Sequence, residues 1–143
     1  MRQYIPSSTE WVASQVKIYE SSGGTKGTTL KGLPVIIVTN IGSKTGVLRK
    51  TPLMRVVYGD CYVLVASQGG VPKHPLWYYN LKANPYIDIQ DGSKIFSMVA
   101  KEITDPKEKQ RLWNIAIDAY KPYSDYQQKT ERIIPILLAE LVQ

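Results

Sequence analysis

Two glycines enclose a short run of hydroxyl and cationic side chains in the first half of the chain. The run is Gly42-Ser43-Lys44-Thr45-Gly46, and Arg49 follows it closely. Glycines let the backbone turn and expose its N–H groups, while the hydroxyls of Ser43 and Thr45 and the charges of Lys44 and Arg49 add further donors. The pattern predicts a phosphate cradle, although the GxxxxGK[ST] spacing of a nucleotide-binding P-loop is absent. A plain polar hairpin is the alternative.

A second group of residues follows a predicted strand. The segment Val65-Ala66-Ser67-Gln68 leads into Gly69-Gly70, and Trp77 comes a few residues later. Small residues allow a flat ligand to approach the backbone, Trp77 offers an apolar wall, and the Ser67 hydroxyl can bond to a ligand carbonyl. The alternative places Trp77 in the hydrophobic core, where tryptophan is usually found.

The third group consists of three tyrosines, Tyr120, Tyr123 and Tyr126, at a spacing of three residues. This spacing predicts that they lie on one side of a helix or helical turn. Tyrosine combines a flat apolar ring with a polar tip, which suits an aromatic substrate pocket. Packing of the three rings against a sheet is the alternative.

The scarcity of two residue types excludes much chemistry. The chain has one cysteine, Cys61, and one histidine, His74. A disulfide within the chain, a zinc site with several Cys and His ligands, and acid–base catalysis by several histidines are therefore excluded, and no metal site is expected. His74 is interpreted as a hydrogen-bonding residue of a loop. An enzyme of this composition would depend on a bound organic cofactor.

Positive charge is concentrated in the first half of the chain. The net charge is +6, and residues 21–87 contain a single acidic residue, Asp60. The same segment has eight basic residues: Lys26, Lys31, Lys44, Arg49, Lys50, Arg55, Lys73 and Lys82. The asymmetry indicates an anionic partner, for which nucleic acid, a membrane surface and a phosphorylated cofactor all qualify. A solvated basic face is the alternative.

The chain has 143 residues, which is the size of one domain, and 43% of them are hydrophobic, which is enough to form a core. The helices and strands of this domain must position the three groups described above. Hydrophobic spacing and capping signals predict helices over 9–20, 76–83 and onward from Asp105, with a glycine-rich flexible loop over 21–32. Strands are predicted over 34–41, 48–58 with an interruption near Pro52, 61–67, 86–90, 94–103 and 133–138. The pattern predicts an α+β protein built around a small antiparallel barrel.

No apolar run is long enough to span a membrane, and no signal region is present. The expected location is therefore the cytoplasm. Weak peripheral contact with the inner face of the membrane, through the helix that carries Trp11, remains an alternative.

Four motifs together resemble a known family. They are GSKTGVLRKTP, LVASQGG, KHPLWYYNLKANP, and YKPYSDYQQKT ahead of IIPILLAEL. From about Leu33 to Leu138 the chain is similar to the deazaflavin (F420)-dependent nitroreductases of actinobacteria. The resemblance implies a split β-barrel, related to that of flavin-binding pyridoxamine oxidases, with short flanking helices. It also implies a division into an N-terminal helix and loop over 1–32 and a coenzyme-binding domain over 33–143.

The same resemblance implies that coenzyme F420, an 8-hydroxy-5-deazaflavin, donates a hydride to a quinone-like, nitroaromatic or enone acceptor. Matching positions imply coenzyme binding by Ser43, Lys44, Thr45, Arg49, Lys50, Thr51, Pro52, Leu53, Met54, Val65, Ala66, Ser67, Gln68, Leu76, Trp77, Tyr78, Tyr79, Asn80 and Tyr123. The implied catalytic residues are Ser67, Tyr123 and Tyr126, and the implied substrate-binding residues are Met54, Ser67, Tyr120, Tyr123 and Tyr126. Gln68 replaces a common lysine and Met54 replaces a tyrosine of some members, so the resemblance does not predict whether nitroimidazoles are reduced.

Three rival functions remain open. One is a non-catalytic F420 carrier, which would bind the coenzyme without turnover, and another is an FMN-dependent split-barrel oxidoreductase. The third, a basic nucleic-acid-binding barrel, is disfavoured because no exposed aromatic ladder alternates with Lys and Arg. No nucleic-acid partner is therefore expected, and the oligomeric state is not predicted.

Overall fold

Four helices and eight strands make up the part of the chain that the computed structural model describes, residues 2–142. The helices are α1 (Glu10–Ser21), α2 (Leu76–Ala83), α3 (Pro106–Ala119) and α4 (Pro122–Gln128). The strands are β1 (Thr29–Leu30), β2 (Leu33–Ile41), β3 (Leu48–Met54), β4 (Val57–Tyr58), β5 (Cys61–Val65), β6 (Tyr86–Asp91), β7 (Lys94–Glu102) and β8 (Ile136–Leu141). Met1 and Gln143, the outer limits of the predicted segments 1–32 and 33–143, lie outside the described residues.

The strands form one antiparallel sheet in the order β1-β2-β6-β7-β8-β5-β4, and β3 pairs with β2. The pairing of β2 with β3 runs from Val35 opposite Met54 to Ile41 opposite Leu48. The chain then passes from β3 almost directly into β4 at the far end of the strand order, so the sheet curls into a barrel. The predicted binding segments on β3 and after β2 and β5 therefore belong to one curved sheet.

Each face of the sheet has its own hydrophobic cluster. The inner cluster takes side chains from β2 and β5–β8, among them Ile36, Leu64 and Met98, and α2 adds Trp77 and Leu81. The outer cluster combines other residues of β2, β3, β5 and β8 with side chains from α1, α3 and the start of α4. Burial of a large aliphatic side chain contributes about 1.5–3 kcal/mol, so the two clusters supply most of the stabilisation of the sheet.

Local sequence signals explain where two helices begin and end. The Asp105 carboxylate accepts a hydrogen bond from the Glu108 N–H at 2.9 Å, and Pro106 occupies the first turn of α3. This N-cap confirms the predicted start of α3. The predicted span of α2 is also confirmed, since this helix ends just before Asn84-Pro85.

The predicted interruption at Pro52 is wrong. β3 continues through Pro52, which lies opposite Ile37, and the break before β4 falls at residues 55–56. Beyond Leu48, β2 is the sole strand partner of β3 within residues 2–142, so a proline nitrogen can face the open edge without loss of a ladder hydrogen bond.

The last strand begins three residues later than predicted, at Ile136. The reason is that the preceding residues bond to a side chain instead of a strand. The Gln127 amide donates to the Arg132 carbonyl at 2.8 Å and accepts from the Ile134 N–H at 2.9 Å.

The N-terminal segment contacts the barrel directly. Tyr4 forms a bridge with Leu48, and β1 pairs with the first two residues of β2. A domain division at residue 32 stays a prediction. No helix within residues 2–142 is long and apolar enough to cross a membrane.

Candidate active site

The loop at residues 42–46 joins β2 to β3, and most of its backbone donors are already bonded. Hydrogen bonds within the protein occupy the N–H groups of Gly42, Ser43, Gly46 and Val47. The expectation of a cradle lined by free backbone N–H groups is therefore wrong for these four positions. Any affinity of this loop for an anion must come mainly from side chains.

A pair of buried asparagines fixes the loop to α2. The side-chain oxygen of Asn80 accepts from the Ser43 N–H at 2.9 Å, and its amide nitrogen donates to the Asn40 side-chain oxygen at 2.8 Å. Asn40 is 1% exposed and Asn80 is 7% exposed. The Asn80 side chain, predicted to bind coenzyme, thus directs a donor and an acceptor at the protein and fixes the backbone of Ser43, and a coenzyme-binding role for either residue stays a prediction.

The register of β3 divides the predicted coenzyme-binding run 49–54 between the two faces of the sheet. Arg49 lies opposite Asn40 on the inner face, and Thr51 and Leu53 alternate with the intervening residues on that same face. Lys50, Pro52 and Met54 point to the outer face, where α1 packs. The six residues therefore cannot all contact one side of a flat ligand.

Lys50 has partners on the outer face. It forms an ion pair with Glu20 of α1, and its ammonium group lies 4.9 Å from the centre of the Tyr4 ring. These contacts tie α1 and the N-terminal segment to β3. Lys50 is thus neutralised by the protein itself, whereas a coenzyme-binding role for it stays a prediction.

Three other cations surround the loop. The Arg2 guanidinium donates to the Gly46 carbonyl at 2.8 Å, and Lys44 and Arg49 flank the same turn. The four ion pairs within residues 2–142 involve none of these three side chains. Positive charge at the mouth of the loop is therefore available to an anionic ligand.

The second part of the site is the turn that follows β5. Gln68, Gly69 and Gly70 have φ values of 44°, 65° and 81° in succession, a left-handed path that glycine adopts at least cost. Ser67, which precedes them, is 7% exposed. No hydrogen bond of the Ser67 hydroxyl to another residue is found in the described part of the chain, so this group can still bond to a ligand.

Arg132 holds this turn in place. Its guanidinium donates to the carbonyl oxygens of Ser67 at 2.6 Å, Val71 at 2.9 Å and Ala66 at 3.1 Å. Hydrogen bonds from a charged donor contribute about 1.5–3 kcal/mol each. The clamp fixes the backbone from which the Ser67 side chain projects, and sequence reasoning missed it because the partners lie more than 60 residues apart.

His74 accepts a hydrogen bond from the same guanidinium. The distance from its Nδ1 to Arg132 Nη1 is 3.0 Å, and because arginine only donates, the imidazole proton must reside on Nε2. Burial, followed by the charge of Arg132, lowers the pKa of His74 below its usual value. His74 is thus a neutral loop residue, as predicted, and it packs against the ring of Tyr78.

The three tyrosines come together as predicted. Tyr120 caps the end of α3, and Tyr123 and Tyr126 belong to α4, with ring centres 4.9–6.2 Å apart. The hydroxyls of Tyr120 and Tyr126 are 2.8 Å apart, and the Lys31 ammonium donates to Tyr120 Oη at 3.2 Å. Lys31 is a further site residue that sequence reasoning missed, since only the folded chain brings it to the tyrosines.

The tyrosines differ in their access to a ligand. Tyr123 is 5% exposed within the outer cluster, and desolvation strongly raises its pKa, so the packing alternative describes its ring well. Tyr126 is only half-buried. A catalytic role for either residue stays a prediction. Tyr126 is the better candidate, because its side chain is more exposed than that of Tyr123.

Gly70 joins the turn to α4. A β-carbon at Gly70 would lie 2.5 Å from the Tyr126 carbonyl oxygen, closer than any real side chain can approach. The missing side chain lets the backbone of α4 at Tyr126 pack on the turn that follows Ser67.

Helix α2 connects the two parts of the site. Asn80 reaches the loop, whereas Leu76 and Tyr79 are exposed near the turn. Trp77 is 7% exposed and packs in the inner cluster, so its ring lies in the core, as the alternative proposed. The Tyr78 hydroxyl donates to Glu102 at 2.5 Å, which orients the helix on β7.

An open groove of about 650 Å³ lies elsewhere, between residues 4–6 and α1. It contains Glu20, the partner of Lys50, but neither Ser67 nor any of the three tyrosines. The chemistry-bearing residues and this groove therefore do not coincide.

Comparisons with known proteins identify the family of this chain. Residues 11–140 match the family model described as F420H(2)-dependent quinone reductase. The chain belongs to this family. It is 39% identical over 125 residues to an F420H(2)-dependent quinone reductase of Mycobacterium tuberculosis, which covers 85% of this chain and 83% of the relative.

Solved structures give the same result. An F420-H2 dependent reductase (FDR-A) superimposes with a TM-score of 0.70 at 45% identity, over 75% of this chain and 94% of that one. A structure titled as a domain-swapped dimer gives 0.73 at 42% identity, over 94% and 100%. An FAD-binding protein of Mesorhizobium loti, 14% identical over 76% and 79%, shares the fold with a TM-score of 0.56. The predictions of an α+β split barrel, an oxidoreductase and coenzyme F420 are confirmed.

Proposed function

We propose that this protein reduces a quinone-type acceptor with F420H2, and that the site extends from the loop at 42–46 to the turn at 67–70. The observation that carries the proposal is the Arg132 clamp together with the Gly70–Tyr126 contact. Arg132 fixes the backbone of Ser67, and Gly70 allows α4, the helix that carries Tyr126, to pack against the same turn. The deazaflavin supplies the hydride from its own ring carbon, so the protein has to bind and orient the two reactants.

The cations at the loop would hold the tail of the coenzyme. F420 carries a phosphodiester and a glutamate tail, and Arg2, Lys44 and Arg49 have no carboxylate partner within the described residues. Charged donors bind phosphate and carboxylate oxygens about twice as strongly as neutral ones. The set of donors therefore fits the group, with side chains in place of the occupied backbone N–H groups.

The turn would hold the ring and the acceptor. Gly69, where a β-carbon would meet nothing within 4 Å, leaves backbone open to a flat ring, and the Ser67 hydroxyl can donate to an acceptor carbonyl. Tyr126 borders the same surface from α4. Hydrogen bonds to the acceptor oxygen favour hydride addition because negative charge develops there.

Nitroaromatic compounds and enones are further acceptors within the proposal. Met54 is 9% exposed and sits in the outer cluster, so it gives an acceptor pocket little surface. The acceptor range would then depend on Ser67 and Tyr126.

The test combines binding with turnover. Purified protein is titrated with F420 and, separately, with FMN, and quenching of cofactor fluorescence gives each affinity; oxidation of F420H2 is then followed with a water-soluble naphthoquinone, a nitroaromatic and an enone. We expect saturable F420 binding, weak FMN binding and fastest turnover with the quinone. Binding without turnover would establish the carrier instead, and preferential FMN binding would establish the flavin enzyme.

Peripheral membrane contact is a separate proposal. Trp11 and Ile18, one heptad apart on α1, are 53% and 44% exposed and would form the contact. Co-sedimentation with anionic vesicles, compared between the wild type and Trp11→Ser, tests it, and equal sedimentation of the two proteins would refute it.

A further inference from the structure

A chain of three hydrogen-bonding groups connects solvent to the proposed acceptor position. The Lys31 ammonium donates to Tyr120 Oη at 3.2 Å, and Tyr120 Oη is 2.8 Å from Tyr126 Oη. Lys31 is exposed, Tyr120 is 5% exposed, and Tyr126 is half-buried beside the turn at 67–70. One end of the chain therefore contacts water, its middle is buried, and its other end belongs to α4, whose backbone packs against the turn at 67–70.

The backbone directs Lys31 towards the tyrosines. Lys31 and Gly32 form the two-residue connection between β1 and β2, with φ values of 54° and 77°. A lysine rarely adopts a left-handed conformation, and this tight turn places its side chain over α3 and α4. The ammonium group also lies 5.9 Å from the centre of the Tyr120 ring.

We propose that Lys31, Tyr120 and Tyr126 form a proton relay that protonates the reduced acceptor, an inference that rests on the proposed function. A quinone that accepts a hydride gains two electrons and one proton, and becomes a hydroquinone monoanion. Tyr126 Oη gives its proton to the anionic oxygen and recovers one from Tyr120. Tyr120 recovers its proton from the Lys31 ammonium, which is reprotonated by water.

The protonation states suit this role. The hydrogen bond to Tyr120 raises the pKa of Lys31, while desolvation and then Tyr120 raise that of Tyr126. Lys31 and Tyr126, whose pKa values are both raised, thus hold their protons near neutral pH. Lysine and tyrosine lose protons at similar pH in water, so transfer between them meets little thermodynamic resistance. The other groups that face Tyr126 are Tyr123 and the Lys129 ammonium, which lies 5.5 Å from the centre of its ring.

Two substitutions at one position separate proton transfer from charge. Lys31→Met removes the ammonium group, whereas Lys31→Arg keeps a charged donor that does not release its proton. The control is Lys26→Met, an exposed lysine of the same N-terminal loop whose ammonium has no tyrosine partner within residues 2–142. Turnover of F420H2 with a naphthoquinone is measured in water and in deuterium oxide, and ¹⁵N NMR of the ligand-free protein follows the Lys31 ammonium in the wild type and in Tyr120→Phe.

In both Lys31 variants we expect kcat to fall about tenfold, KM to stay nearly unchanged and the solvent isotope effect on kcat to increase. We expect Lys26→Met to turn over at the wild-type rate. In the ligand-free protein, we expect the ammonium protons of Lys31 to exchange faster with water after Tyr120→Phe. Wild-type rates in Lys31→Arg, or in both Lys31 variants, would overturn the relay, as would unchanged exchange in Tyr120→Phe. Absence of turnover in the wild type would refute the proposed function instead, and the exchange measurement would still report on the Lys31–Tyr120 bond.

Discussion

Arg132 donates to the Ser67 carbonyl at 2.6 Å and to the His74 ring at 3.0 Å, so one guanidinium links the turn after β5 to the loop before α2. The three carbonyls that it binds lie on the irregular segment after β5, where the Gly70 N–H gives the Ser67 carbonyl a second donor at 2.9 Å. This makes Arg132 a positioning residue for Ser67, although it contributes nothing to the reaction itself.

Replacement of Arg132 tests this clamp. We expect Arg132→Ala to lower the free energy of unfolding by about 2 kcal/mol, because charged hydrogen bonds to three carbonyls are lost. Arg132→Lys keeps the charge but cannot span the three acceptors, so we expect it to lose at least half of that stability. Urea unfolding measures both changes. Wild-type stability in Arg132→Lys would show that charge alone is needed here.

Gly70 and Gly69 form a matched pair for the contact with α4. Both have positive φ, but a β-carbon at Gly69 would meet nothing within 4 Å, whereas one at Gly70 would meet the Tyr126 backbone. We expect Gly69→Ala to cost about 1–2 kcal/mol through its backbone conformation alone. Gly70→Ala adds about 1–3 kcal/mol of overpacking and displaces Tyr126. Thermal unfolding and quinone turnover measure the difference, and equal values for the two variants would contradict the contact.

Arg49 and Lys50 are neighbours on opposite faces of β3, and their substitutions should act differently. We expect Arg49→Gln to weaken F420 binding about tenfold to a hundredfold, with little change in stability, since a charged contact to the tail is lost. Lys50→Gln breaks the ion pair with Glu20, so we expect a loss of up to about 1 kcal/mol of stability and nearly normal F420 binding. Fluorescence titration and urea unfolding are measured for both. An equal loss of affinity in the two variants would place the tail on both faces.

His74 should make stability depend on pH. Its pKa in the folded protein lies below the usual value of 6.5, so the unfolded chain binds the proton more tightly. Stability is therefore complete above pH 6.5 and decreases as the pH falls from there through the folded-state pKa. Urea unfolding of the wild type and of His74→Gln, compared over this range, isolates the effect because no other histidine exists. Identical pH dependence in the two proteins would contradict it.

The order of elements could be read from the sequence because hydrophobic alternation and capping residues act over a few positions. Asp105 with Pro106 located the start of α3, and Asn84-Pro85 the end of α2. Pro52 misled the prediction because a proline is tolerated where the strand edge is open. Whether an edge is open depends on the strand order, which local pattern does not contain.

The sequence predicted which segments carry the candidate site residues, but not the hydrogen bonds that these residues form. The loop at 42–46 and the tyrosines were located correctly, but the loop's N–H groups are used by its own turn and by Asn80. Lys31 reaches Tyr120 across 89 positions and Arg132 reaches Ser67 across 65. Contacts at such separations arise only when the barrel closes, so no spacing in the sequence reveals them.

The solitary imidazole of His74 gives the turn a built-in spectroscopic reporter. Its ring lies against Arg132 on one side and the Tyr78 ring, 4.8 Å away between centres, on the other. The proton signals of a single histidine are resolved in a one-dimensional NMR spectrum without isotopic enrichment. Any ligand that loosens the guanidinium or shifts the aromatic neighbour will move those signals, so occupancy of the turn can be followed even for compounds that neither absorb light nor react.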